Sequence, residues 1–235
     1  MDCTTLMKTG VAAVALYAGS AQLAPADPAG NEADDKADYT AMSPEALAEY
    51  LIFDAKGFEL DAKTQEGGTV RDRLTQDALQ KACTRLRGES VDSDTAIEVI
   101  AMARESIVHP KGGIELGNWK KGEEIARSGY GFRVGHRTDV HTEDEQPGGN
   151  CYACHQLDPG EIAHGTLGPS LTGYGEARGT GEEVLKYTYE VIYNPHVSFP
   201  CTHMPRFGAN GVLTREQIGD VMAYLLDPQS PVNRQ

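Results

Sequence analysis

The chain has 235 residues, enough for one large domain or two small ones, with 40% hydrophobic and 24% charged residues. Its 21 Lys and Arg stand against 35 Asp and Glu, a formal net charge of −14. That balance argues against nucleic acid and anionic lipid, which demand a basic footprint, and suits a basic partner protein. No stretch approaches the ~20 apolar residues of a membrane span, and one Trp with 5 Phe leaves the aromatic core thin.

Residues 1–26 read as an export signal, which implies a periplasmic protein. Val11 to Ala24 is a short apolar run, preceded by Lys8 and followed by small residues, Pro25, Asp27 and Pro28. Translation from Met7 would give a more usual basic start, Met7-Lys8. A buried or amphipathic helix is the alternative, against which Gly19, Ser20 and Gln22 count. Cys3 precedes the run, so it is not a lipid acceptor and would be lost on processing. Residues 27–42 are a polar, acidic linker.

A first helix should begin at Ser43-Pro44-Glu45, with Ser43 as N-cap and Leu47, Tyr50, Leu51 and Phe53 as its stripe. A second is expected over Val70–Arg87, stopping at Gly88. The third covers Asp94–Val108, with Ile97, Ile100, Ala101 and Ile107 inward. Residues 43–113 thus form a helical N-terminal extension without a cluster of catalytic residue types. In the following domain, residues 114–235, Asn118–Ser128 is a short helix closed by Gly129 and Gly131, and residues 135–149 are a polar loop. A helix spans Glu182–Tyr193. The last begins at Thr214, where Gln217 completes a capping box, and ends before Asp227-Pro228. Alternating strand patterns and internal repeats are both missing, so the fold class is all-α.

Cys151-Tyr152-Ala153-Cys154-His155 carries the chemistry. Thiols two residues apart add to the two vinyl groups of one haem, and the histidine that follows becomes the proximal iron ligand. Half a zinc site or a thioredoxin-like pair are the alternatives. The first lacks a second close ligand pair, and the second lacks a βαβ context. One motif means one covalently attached haem c. Of the other cysteines of an exported chain, Cys83 and Cys201 are either a disulfide tying the two halves together or ordinary buried thiols.

The sixth iron ligand is expected to be Met204, in a loop that Pro205 and Gly208 keep from becoming helix; the neighbouring His203 is the rival, and Met222 is core. A thioether favours reduced iron and raises the potential. The Pro169 carbonyl is placed to accept the proximal imidazole's Nδ1–H, unless Gly168-Pro169 is a plain turn. Tyr174 and Arg178 are candidate partners for a haem propionate or are solvent-facing. Gly122 and Tyr224 read as a close helix crossing, or as a surface glycine and a core tyrosine.

The helix with Gly122, CYACH, GPSL, MPRFG and a last helix ending AYLL together resemble a class I cytochrome c domain. More narrowly, GNCYACHQL, GTLGPSLTGYGEARG, CTHMPRFGANGVLT and DPQSPVN resemble the SoxX family, monohaem subunits of the SoxAX cytochrome complex. The resemblance spans about residues 114–235 and leaves residues 27–113 uncovered. It implies a heterodimer with a SoxA-type cytochrome that couples thiosulfate oxidatively to a cysteine of a SoxYZ-type carrier, as an L-cysteine S-thiosulfotransferase. A small c-type cytochrome would accept the electrons. Within such a complex the reactive cysteine belongs to the SoxA partner and this chain relays electrons. His155 and Met204 carry over as axial ligands and Cys151 and Cys154 as thioether anchors, with no catalytic nucleophile. Two other readings are a free-standing monohaem carrier and a helical protein with a redox-active Cys151–Cys154 disulfide. Deleting residues 43–108 is expected to leave the haem spectrum intact while weakening a complex or lowering stability.

Overall fold

The computed structural model describes residues 37–64, 67–130 and 148–234. The export signal and most of the linker lie outside these residues, as does most of the 135–149 loop. The chain divides into two units at Met42/Ser43. In the first, the Asp38 carboxylate accepts from the Thr40 amide and hydroxyl at 3.0 and 2.6 Å, which closes a turn.

Among the described residues the structure is helical, and the only β pairing is an isolated bridge between Lys63 and Thr69. Helix α1 (Pro44–Glu49) starts as expected, with Ser43 capping the Ala46 amide, and widens into a π turn over Tyr50–Asp54. The expected second helix is two. α2 (Val70–Leu74) ends where Thr75 turns extended at ψ 117°, and α3 (Ala78–Thr84) restarts behind Asp77, whose capping box with Gln80 competes successfully with helix continuation. α4 (Ser93–Ser106) is capped by Asp92. Its buried face is also rotated from the expected one. Val99 and Ala103 are fully buried while Ile97 is 68% exposed, because the small side chains allow the closer approach.

α5 (Trp119–Arg127), α6 (Tyr174–Arg178), α7 (Glu182–Tyr193) and α8 (Arg215–Leu226) follow, with single 3₁₀ turns at Cys151–Ala153, Pro195–Val197 and Pro231–Asn233. α8 is the centre. Every residue from Ile218 to Leu226 is buried, the pattern of a helix surrounded by protein on all sides. α5 crosses it at Gly122, where a Cβ would overlap the Asp220 carbonyl. The Asp220 carboxylate accepts the Asn118 amide at 2.6 Å, which fixes the crossing from the other side.

Two cores result. The larger gathers α5, α7 and α8 with Tyr152, Leu157, Phe207 and Val232. The smaller packs Leu79 and Ala82 of α3 and Val99 and Ala103 of α4 against Val197. Cys83 and Cys201 meet at its edge as a disulfide, so the open alternative resolves in favour of a bridge between the two halves.

Candidate functional site

Asn150 adopts a left-handed conformation, and the chain then turns tightly through Cys151–Ala153. The His155 amide donates to the Cys151 carbonyl at 2.8 Å, which carries the imidazole one turn past the first sulfur. Residues 165–171 dock on this turn through three backbone bonds. Gly165, Gly168 and Leu171 donate to the carbonyls of Tyr152, Cys154 and Gln156 at 2.7, 2.8 and 2.8 Å. Gly168 runs so close to the imidazole that a Cβ would overlap its ring.

The Pro169 carbonyl oxygen lies 2.8 Å from His155 Nδ1. A carbonyl can only accept, so Nδ1 carries the proton and Nε2 keeps its lone pair for a metal. Pro169 therefore orients the ring and fixes its tautomer.

Cys151 and His155 wall a small cleft with an enclosed volume of about 40 Å³. The rest of the wall is apolar or aromatic, with Leu157, Leu171, Phe207, Leu213, Val221 and Leu225 prominent. Two unbridged thiols, one oriented imidazole and an apolar wall suit a porphyrin and offer little to a hydrated ion. Among the described residues no group of three or more His, Cys, Asp or Glu is placed to hold a metal ion. Burial pushes the Cys151 thiol up to about 12, the opposite of what a redox-active thiol pair requires.

Met204 is partly buried against the larger core, whereas His203 beside it is exposed. The Met204 amide donates to the Thr202 hydroxyl at 3.3 Å. Tyr174 and Arg178 are not among the residues that wall the cleft. The Tyr174 hydroxyl pairs with that of Thr188 at 3.2 Å, and the Arg178 guanidinium covers the rings of Tyr174 and Tyr187 at 5.2 and 5.8 Å. Thus Cys151, Cys154, His155 and Pro169 form one constellation, Met204 and Tyr174 both adjoin the same core, and Arg178 is exposed.

Sequence reasoning missed the support behind the motif. The hydroxyls of Tyr152 and Tyr224 are 2.7 Å apart in the core, and burial raises the pKa of both phenols. Arg127 lies 4.8 Å over the Tyr152 ring and pairs with Glu123, Asp158 and Glu161 at 3.1, 3.6 and 3.0 Å. Tyr152 is a free position of the C-x-x-C-H pattern, so the spacing carries no signal for it.

Residues 145–228 match the family model for cytochrome c. An uncharacterized lipoprotein of Aquifex aeolicus (strain VF5) is 42% identical over 168 residues, which is 68% of this chain and 73% of that protein. Among solved structures, a chain of SoxXA from P. pantotrophus aligns at 24% identity with a TM-score of 0.35, covering 53% of this chain and 95% of its own.

Proposed function

Since residues 145–228 of this chain form a cytochrome c domain, we propose that it is the electron-transfer haem c subunit of a SoxAX-type complex. That complex would couple thiosulfate oxidatively to a carrier-protein cysteine. The observation that carries the electron-transfer part is the His155–Pro169 hydrogen bond inside a C-x-x-C-H turn on an apolar cleft. Cys151 and Cys154 would hold the haem covalently, and His155 Nε2 and the Met204 thioether would bind the iron. The haem supplies a one-electron carrier, its iron alternating between ferrous and ferric.

This chain's residues set how that electron is held. Pro169 keeps the proton on Nδ1 and so raises the basicity of the imidazole. The aliphatic wall excludes water, and the Met204 thioether as a ligand would favour the reduced form. The sulfur assignment is supported by four motif runs in order, GNCYACHQL, GTLGPSLTGYGEARG, CTHMPRFGANGVLT and DPQSPVN. A net charge of −14 repels thiosulfate, consistent with a relay whose partner carries the reactive cysteine and with electrons leaving to a basic cytochrome. The Cys83–Cys201 disulfide supports export to the periplasm, since such bonds persist in oxidising compartments.

Native mass spectrometry of the protein from its own cells, paired with a thiosulfate assay, tests this reading. A one-to-one complex with a second cytochrome, whose haem is reduced on adding thiosulfate and carrier protein, is the expected result. A haem protein with no partner and no response to thiosulfate would leave a free-standing electron carrier and overturn the complex.

A further inference from the structure

The loop that bears Met204, residues 198–213, contains no helix of its own, yet it is tied to α2 and α3 at three points. Cys201 is bonded to Cys83 on α3. The Arg206 guanidinium, only 12% exposed, pairs at 2.7 Å with Asp77, the N-cap of α3. On α2, Arg73 donates to the Asn210 carbonyl at 2.9 Å. These ties bracket Met204 closely, at three residues before it, two after and six after. Beneath them the small core of α3 and α4 closes over Val197, just upstream of the loop.

We propose that α2 and α3 are a clamp that positions the Met204 thioether, with Cys83 and Asp77 as its positioning residues, acting through Cys201 and Arg206. The inference rests on the reading of residues 145–228 as a haem c site. Its physical basis is the weakness of a neutral thioether as a ligand. A loop that presents it only part of the time lowers the apparent strength of ligation by that fraction. Ties formed on folding remove loop entropy before the iron is met. Register matters as well, because the exposed His203 immediately precedes Met204. A freed loop would offer an imidazole in place of the thioether, whereas the clamped loop packs Met204 against the core.

The test uses the full-length holoprotein in five forms: wild type, Asp77→Asn, Asp77→Glu, the double variant Cys83→Ala with Cys201→Ala, and Met204→Ala. Each is read by the thioether-to-iron charge-transfer band of the ferric state, by midpoint potential, and by hydrogen exchange across residues 198–213. Asp77→Asn and the double variant are expected to lose part of the band, shift to lower potential and exchange faster in the loop. Both should retain haem on denaturation, and Asp77→Glu should keep the wild-type band. Unchanged band and potential in Asp77→Asn and the double variant would overturn the clamp. Should the double variant not accumulate, Asp77→Asn decides, since its carboxylate is half exposed and its loss leaves the disulfide intact. Failure of the underlying haem-site reading looks different. There the wild type would carry no covalent haem, or its band would survive Met204→Ala.

Discussion

At Gly168 the site depends on an atom that is not there. The imidazole of His155 occupies the space a Cβ would need, and the next residue supplies the carbonyl that fixes its tautomer. Gly168→Ala is therefore expected to rotate the ring off the Pro169 carbonyl and shift the midpoint potential, as measured by redox titration; an unchanged potential would mean the ring is held by other contacts. A second residue-scale expectation concerns His196. Burial, helped by the neighbouring Arg206 charge, lowers its pKa from the usual 6.5 to about 4. Its Nδ1 accepts the Cys201 amide at 3.0 Å, which requires a neutral ring. Between those two pH values the unfolded chain binds a proton that the folded chain does not, so stability is full above pH 6.5 and falls towards pH 4. At ~1.4 kcal/mol per pK unit the loss is at most about 3.5 kcal/mol. Denaturant titrations across that range should show it, and His196→Gln should flatten the slope. The sequence made Cys151, Cys154, His155 and Pro169 legible because their relations are set by short spacing along the chain. The neighbours of Tyr174 and Arg178 were not legible in the same way. Their partners Thr188 and Tyr187 sit on another helix, and only the packing of α6 on α7 decides which way they turn.

Among elements, the α5–α8 crossing carries the cytochrome core. Gly122 lets the two backbones approach until the Asp220 carbonyl fills the place of a side chain. Gly122→Leu should force the helices apart and destabilise the protein by about 1–3 kcal/mol, read as a Tm lower by several degrees. A Tm within a degree of wild type would show that the crossing tolerates a side chain. This contact was readable beforehand from Gly122 and Tyr224, as were the Thr214–Gln217 capping box and the Glu182–Tyr193 helix, which stops at Asn194-Pro195. The break between α2 and α3 was equally local but was hidden. Leu74, Ala78 and Ala82 keep a helical period straight through it, which masks the Asp77–Gln80 capping box that interrupts the helix. The face of α4 had no local signal at all. Bulk pointed to Ile97, while the neighbouring α3 and Val197 selected Val99 and Ala103.

On the scale of the whole molecule, the N-terminal helices and the haem-bearing region form one compact unit from Ser43 onward. A disulfide, an ion pair and a hydrogen bond run from α2 and α3 to the Met204 loop. The sequence alone suggested that removing residues 43–108 would leave the haem spectrum intact while weakening a complex or lowering stability. With those ties in place the expectation reverses. Deletion should weaken the thioether band and lower the potential, and a deletion variant with the wild-type band would restore the earlier view. Whether Met204, a partner or thiosulfate enters the account at all depends on covalent haem at Cys151 and Cys154. Intact mass under denaturing conditions measures this directly. The wild type should retain the mass of one haem, and the Cys151→Ala, Cys154→Ala double variant should retain none. A wild-type chain at its bare polypeptide mass would contradict the account at its foundation.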